Sequence, residues 1–308
     1  MKYLITGATG DVGSRVVRQL LTLNIRPRIF VRDEKKARNM FGDQVEISLG
    51  NLADATSLEA ALQYIDKLFL VTTGPQIPIL DEAAAKAARA AGVRHLVKLS
   101  TLDVRQGLAI GTWHELGEAA IRAAGIPFTF LQPTGFMSNM LAWTHSIKSE
   151  GVVRSSTGKG RRAFIHSDDI AAVAANVLTT SANQQERTKK AGNDQDSSEK
   201  ETSADETYVG KSLALTGPEA LTFSEVTGKI AAAIGKPLTF QPISDNEARE
   251  RYSAATGAED EETEAHVALW RAIREGRLAT VTNEIERILG RKPIGLDQWA
   301  AENAQAFR

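Results

Sequence analysis

Three glycines, Gly7, Gly10 and Gly13, punctuate the run Thr6-Gly7-Ala8-Thr9-Gly10-Asp11-Val12-Gly13, which joins a short apolar stretch to a helical pattern. Glycines in this spacing bring backbone N–H groups against an anion. Gly7 permits a tight turn, Gly10 lets a pyrophosphate approach the main chain, and Gly13 lets the helix pack closely on the strand. The helix opening at Asp11 adds unpaired N–H groups and the positive end of its dipole. A triple glycine alone is a weak signal, but its place between a strand and an amphipathic helix is the context a dinucleotide site needs. Thr6, Thr9, Asp11 and Val12 complete the candidate phosphate-binding turn.

The second strand ends in Arg32, and Lys36 lies one helical turn further on. Two cations there favour the 2′-phosphate of NADPH/NADP+ over NADH. The rival is Asp33, which stands where an NAD-type acid would bind the ribose, but which also suits the N-cap of the helix beginning at Glu34. Asn51 and Leu52 follow the third strand, where the loop can cover an adenine. Thr72, Thr73 and Gly74 end the fourth, where cofactor and substrate meet in a doubly wound sheet.

Other candidate groups divide between chemistry and packing. Trp113, Phe136, Met137, Met140 and Trp143 either line an apolar substrate pocket or fill a core. His166, Asp168 and Asp169 have the types of a metal cluster, but Asp168 or Asp169 serves equally as a helix cap, and no metal is expected. No tyrosine is followed four residues later by lysine. Tyr3, Tyr64, Tyr208 and Tyr252 are followed there by Gly7, Leu68, Ser212 and Thr256, so the usual short-chain dehydrogenase proton relay is absent.

The elements that must position these residues alternate. Apolar runs at Lys2–Thr6, Pro27–Val31, Val45–Leu49, Asp66–Val71, His95–Ser100 and Phe128–Gln132 read as strands. Helical patterns at Asp11–Leu23, Glu34–Phe41, Ser57–Tyr64, Ile77–Ala91 and Trp113–Ala124 lie between them. This rhythm predicts an α/β fold, a doubly wound parallel sheet of Rossmann type. Residues 1–133 form that core, completed by 161–182 and 211–217. A smaller, mainly helical C-terminal substrate lobe takes 134–160 and 218–308. Within these lie a strand at Ala163–Ile165, a helix at Asp168–Leu178, a strand at Lys211–Thr216 and a helix at Phe223–Ile234. Residues 183–207 are polar with almost nothing to bury, and read as a disordered insert.

Composition narrows the function. The 308 residues are 42% hydrophobic, enough for a large core. With 37 basic and 38 acidic residues, the net charge of −1 gives no reason to expect nucleic acid as a partner. Cysteine is absent, which excludes disulfides, thiolate catalysis and Cys-based zinc sites. No segment approaches the roughly 18 apolar residues of a membrane span, and the N-terminus lacks the apolar run of a signal peptide, so a cytoplasmic location without membrane contact is expected.

Beyond the glycine turn, the blocks VRDEKKAR, GNLADATSL, AAGVRHLVKLS, WHELGEAAIRAAGIPFTFLQPTGFMSNM, FIHSDDIAAVAANVL and LALTGPEALTFSEVTGKIAAAIGKP occur in order along nearly the whole chain. In this the sequence resembles the NmrA-like group of atypical short-chain dehydrogenase/reductases, which includes bacterial NAD(P)H:quinone oxidoreductases and triphenylmethane reductases. The 183–207 insert departs from the family pattern. The resemblance implies an NADPH-dependent oxidoreductase whose small-molecule substrate is planar or aromatic: a quinone, an imine or iminium, or an activated double bond. The second reading is an alternative, an NADP-sensing regulator acting through a protein partner; oligomerisation is compatible with both. The resemblance places Ser100 beside the nicotinamide, as a carbonyl contact or an ordinary turn residue. It also places His114 where plant relatives carry a lysine. Glu118 lies on the same helix face, so it is expected to hold the imidazole and raise its pKa for proton delivery. A structural His114–Glu118 bond is the other reading.

Overall fold

A computed structural model describes residues 1–191 and 208–308. The apolar runs become short strands and the periodic segments become helices: β1 (Tyr3–Thr6), α1 (Asp11–Thr22), β2 (Arg28–Val31), α2 (Glu34–Phe41), β3 (Glu46–Leu49), α3 (Ala55–Leu62), β4 (Lys67–Leu70), α4 (Ile77–Ala90), β5 (His95–Leu99), α5 (Ala109–Ala123) and β6 (Phe128–Pro133). The chain continues through α6 (Thr144–Glu150), β7 (Val152–Ser155), β8 (Arg161–Ala163), α7 (Ser167–Ala191), β9 (Ser212–Leu215), β10 (Ala220–Thr222) and α8 (Phe223–Ile234). It ends with β11 (Thr239–Pro242), α9 (Asp245–Thr256), α10 (Asp260–Arg274), α11 (Glu284–Leu289), α12 (Leu296–Glu302) and α13 (Ala304–Phe307).

Seven strands form one parallel sheet in the order β3-β2-β1-β4-β5-β6-β9. Ile5 pairs with Ile29 on one side and Phe69 on the other. Both are fully buried, as is Ile5, because helices cover the two faces. One face packs Val16, Val17 and Leu20 of α1 with Ile170, Val173 and Ala174 of α7. The other packs Leu58 and Leu62 of α3, Ala84 and Ala88 of α4 and Ile121 of α5. Strand order reverses between β1 and β4, and a crevice opens there at the carboxyl ends of the strands. The glycine turn, Thr72 and Ser100 all follow strands at that end.

The helical lobe has its own core, in which Trp299 and Phe307 pack with Phe223, Val226 and Ile230. It also holds two small sheets: β7 with β11 in parallel, and β8 with β10 antiparallel. The short, partly exposed strands β7, β10 and β11 give little alternation to read. Helix α5 begins at Ala109 rather than Trp113, which carries Trp113 and His114 inside the helix. The strand expected at 163–165 lies at 161–163, and Ile165 instead bridges Phe136. Helix α7 runs into the expected insert as far as Ala191, and the rest of that segment, 192–207, lies outside the described residues. Among the described residues, no helix is long and apolar enough to cross a membrane.

Candidate active site

The glycine turn has the geometry of an anion cradle. Gly7 adopts φ +61°, a left-handed conformation that side chains resist. A Cβ on Gly13 would lie 2.2 Å from the Gly7 carbonyl oxygen, so α1 rests directly on the turn. A Cβ on Gly10 would meet only the Gly7 oxygen, at 3.2 Å, and Gly10 is exposed. Gly10 is also the N-cap of α1 and provides no side-chain cap, which leaves first-turn N–H groups for a ligand. The exposed space over Gly10 fits a pyrophosphate.

Around this cradle some candidate side chains are committed to structure. Thr6 donates to the Phe69 carbonyl at 3.2 Å and accepts from the Val71 N–H at 2.8 Å, tying β1 to β4. Val12 is buried in the core, and Thr9 is half-buried. Thr6 and Val12 therefore offer a ligand only their backbones. The Asp11 carboxylate accepts from Ser167 Oγ at 2.6 Å, Ser138 Oγ at 2.7 Å and Arg15 Nε at 3.0 Å. Burial acts to raise the Asp11 pKa, but these donors outweigh it and the carboxyl lies below its ordinary range. Asp11 thus fastens the phosphate turn to the lobe through Ser138.

Asp33 is the N-cap of α2, accepting from the Lys36 N–H at 2.9 Å. Arg32 and Lys36 are exposed, and among the described residues neither side chain has an acidic partner. Asn51 is exposed, with its Oδ1 accepting from the Ala53 N–H at 3.2 Å. Leu52 packs at the edge of the core. A Cβ on Gly50 would lie 2.5 Å from Phe30 Cε2 and from Ser57, so this loop sits tightly against β2 and α3. Thr73 is exposed and Gly74 half-buried at the crevice, whereas Thr72 is buried.

Beneath the crevice lies a buried polar network that sequence reasoning did not find. Thr72 Oγ1 donates to Asp81 Oδ1 at 2.7 Å and accepts from the Lys98 ammonium, which lies 3.3 Å from Asp81 Oδ2. Lys98 and Asp81 are completely buried. Burial pushes the ammonium down and the carboxyl up, towards the uncharged forms. A Cβ on Gly117 would lie 2.3 Å from Asp81 Oδ2, so α5 accommodates this carboxyl only through a glycine.

The expected His114–Glu118 pair does not form. Glu118 accepts instead from Ser100 Oγ at 2.6 Å, Gln132 Nε2 at 2.8 Å and Arg122 at 3.0 Å. His114 Nδ1 is buried and has no hydrogen-bond partner. Burial, and then the charge of Lys98, lower its pKa to about 3, where the sequence reading expected a rise. The imidazole is therefore neutral at physiological pH, and Ser100 is joined to Glu118 as a donor. Helical spacing put His114 and Glu118 on one face, but Ser100 just after β5 and Gln132 on β6, invisible to that spacing, occupy the carboxylate together with Arg122.

A cavity of about 870 Å³ opens between β7, β8, α9, α10 and the 139–143 segment. Met140 and Trp143 line it. Phe136, Met137 and Trp113 do not: Met137 is in the lobe core, Phe136 packs against the sheet core, and Trp113 is half-buried on α5. Tyr252 and Trp270 supply further aromatic walls; the Tyr252 hydroxyl lies 3.1 Å from His266 Nε2. Ser138, which binds Asp11, also lines the cavity and so joins it to the phosphate turn. The expected cap at Asp168 or Asp169 is absent, since both lie inside α7. Asp168 binds Arg15 at 2.6 Å, and Asp169 Oδ2 accepts from the Ile294 N–H at 2.7 Å.

A glycine cradle at the switch point of a parallel sheet, without a Tyr-x-x-x-Lys pair, defines an atypical dinucleotide-dependent oxidoreductase. The chain belongs to the NAD(P)H-binding family, whose model matches residues 7–181, and is an NmrA-like atypical short-chain dehydrogenase/reductase. It is 34% identical to the (4-alkanoyl-5-oxo-2,5-dihydrofuran-3-yl)methyl phosphate reductase of Streptomyces griseus, over 99% of this chain and 98% of that one. It is 29% identical to the NAD(P)H azoreductase of Xenophilus azovorans, again over 99% and 98% of the two chains. The crystal structure of Citrobacter sp. triphenylmethane reductase complexed with NADP(H) shares the fold. Its TM-score is 0.78 at 22% identity, covering 99% of this chain and 100% of that one.

Proposed function

We propose that this protein is an NADPH-dependent reductase of planar, conjugated small molecules such as quinones, iminium ions and activated double bonds. The carrying observation is the aromatic-walled cavity joined to the phosphate turn through Ser138 and Asp11. When bound, NADPH supplies the hydride. Gly7, Gly10, Gly13 and the first turn of α1 hold its pyrophosphate, and Arg32 with Lys36 bind the 2′-phosphate. Ser100, with Glu118 behind it, and the neutral His114 orient the acceptor end of the crevice rather than acidify it. The relatives named above reduce compounds with conjugated acceptor groups, a furanone and azo compounds, which accords with this reading.

The test is NADPH oxidation, followed by absorbance, against a panel of a quinone, an azo dye and a cationic triphenylmethane dye. Turnover of at least one acceptor, with NADPH preferred over NADH, is expected. Tight NADPH binding without oxidation by any member would overturn the proposal.

A further inference from the structure

The cavity lining carries three arginines, Arg154, Arg162 and Arg251, and no aspartate or glutamate. Arg154 and Arg251 are balanced by acids outside the lining, Glu150 at 2.6 Å and Glu247 at 2.9 Å. Arg162 is different. It stands on β8, is only 4% exposed, and the one hydrogen bond of its side chain among the described residues runs to Asp103 Oδ2 at 2.9 Å. A guanidinium has five N–H donors, and burying them unpaired is costly. Its Nε is sealed from solvent without a partner, close to Gly135, where a Cβ would lie 2.7 Å away. Gly135 thus leaves room for a guanidinium whose donor capacity the protein does not use.

Resting on the reductase reading above, we infer that Arg162 is the anchor for an acidic group on the substrate. The preferred substrate is then a flat apolar ring system carrying a carboxylate, sulfonate or phosphate. Trp143, Tyr252 and Trp270 wall the apolar body, and the Nη1 end of the Arg162 guanidinium, which is neither bonded to Asp103 nor sealed from solvent, receives the anion. Arg154 and Arg251 are already paired with Glu150 and Glu247, which leaves the anion to Arg162. Asp103, 2.9 Å away, orients Arg162 when no substrate is present.

The experiment uses the NADP+-saturated protein and two matched probes, naphthalene-2-sulfonate and its neutral analogue naphthalene-2-sulfonamide, titrated by calorimetry. One charge-assisted contact gives a preference of about tenfold or more for the sulfonate. In Asp103→Asn/Arg162→Gln, which removes both buried charges together so that neither is orphaned, the two probes should bind alike. NADP+ affinity and melting temperature in that variant report an intact fold. If it does not fold, Arg162→Lys keeps a cation opposite Asp103 but loses the fork, and the sulfonate preference should still fall. Equal binding of the probes by the wild-type protein, or a preference that survives these substitutions, overturns the inference. A parallel assay of NADPH oxidation with 1,2-naphthoquinone-4-sulfonate and 1,2-naphthoquinone separates the two levels. Sulfonate preference in binding without oxidation of either quinone would sink the reductase reading and leave the anion site standing.

Discussion

Gly10→Ala separates what the fold needs from what the ligand needs. Gly10 has an ordinary extended conformation, φ −93° and ψ −178°, so backbone strain does not demand glycine there. The new Cβ would meet only the Gly7 oxygen at 3.2 Å, asking for a shift of a few tenths of an ångström. Alanine is also a poorer N-cap, and the two effects together cost about 1 kcal/mol, or about 1–2 °C in melting temperature for a chain of this length. The effect on cofactor is larger. A methyl group over the cradle pushes a pyrophosphate oxygen out of hydrogen-bonding range of the first-turn N–H groups. Losing two charge-assisted bonds at about 1.5 kcal/mol or more each weakens binding by about a hundredfold or more. Gly13→Ala is the contrasting case. Its Cβ would lie 2.2 Å from the Gly7 oxygen and 2.6 Å from its carbonyl carbon, so α1 must move and stability falls with binding. The assay is NADPH titration by fluorescence beside thermal melts. Wild-type NADPH affinity in Gly10→Ala, with the fold intact, would refute the phosphate cradle.

Three further outcomes follow from the same structure. Replacing Arg32 and Lys36 with glutamine should weaken NADPH binding by about tenfold or more and NADH binding little, by loss of charge-assisted contacts to the 2′-phosphate; equal wild-type affinity for the two cofactors would end that assignment. Because the His114 pKa is lowered to about 3, turnover should show no inflection from this group between about pH 5 and 8. A pH-rate step in that range that disappears in His114→Ala would show it acting as an acid. Stability should fall on acidification: buried His95 and half-buried His114 have folded values of about 4 and about 3 against the ordinary 6.5, so the unfolded chain binds protons first. Their contribution is complete above pH 6.5 and declines below it by about 1.4 kcal/mol per pH unit per imidazole until the folded values are reached, a trend thermal melts from pH 7.5 to 4.5 will detect and His95→Gln should reduce.

The parallel sheet was readable because its strands are buried on both faces, leaving continuous apolar runs such as Leu68–Leu70 between amphipathic helices. The glycine turn between β1 and α1 was readable because its glycines are local: Gly7, Gly10 and Gly13 share one turn. Asp33 as a cap was legible for the same reason. The sites that depend on distant segments were not. Arg162 faces Asp103 across 59 residues, and Tyr252 meets His266 only because α9 and α10 pack together. The Lys98–Asp81 pair hides in two segments that read as an ordinary buried strand and an alanine-rich helix. The error over His114 and Glu118 has the same origin, since a helix wheel shows which residues share a face and not which neighbours reach that face first.

The buried network has a consequence for the chemistry. Lys98 and Asp81 tie β5 to α4, Thr72 brings in the end of β4, and Gly117 lets α5 close over the carboxyl. Removing either charged partner alone would leave the other uncompensated in the core, a loss of about 3–5 kcal/mol, so the pair fixes the geometry of the crevice. The same burial and the Lys98 charge keep His114 neutral. Glu118, held by Ser100, Gln132 and Arg122, has its oxygens engaged and turns the Ser100 proton inward. The groups beneath the crevice are therefore held rigidly, and His114 is no imidazolium acid at physiological pH. A site of this kind favours acceptors whose reduced form is stabilised by delocalisation, because protonation can then follow from solvent rather than accompany hydride arrival. That is the physical ground of the proposal that the acceptor is a quinone or iminium ion rather than a simple ketone, whose alkoxide would need an acid at once.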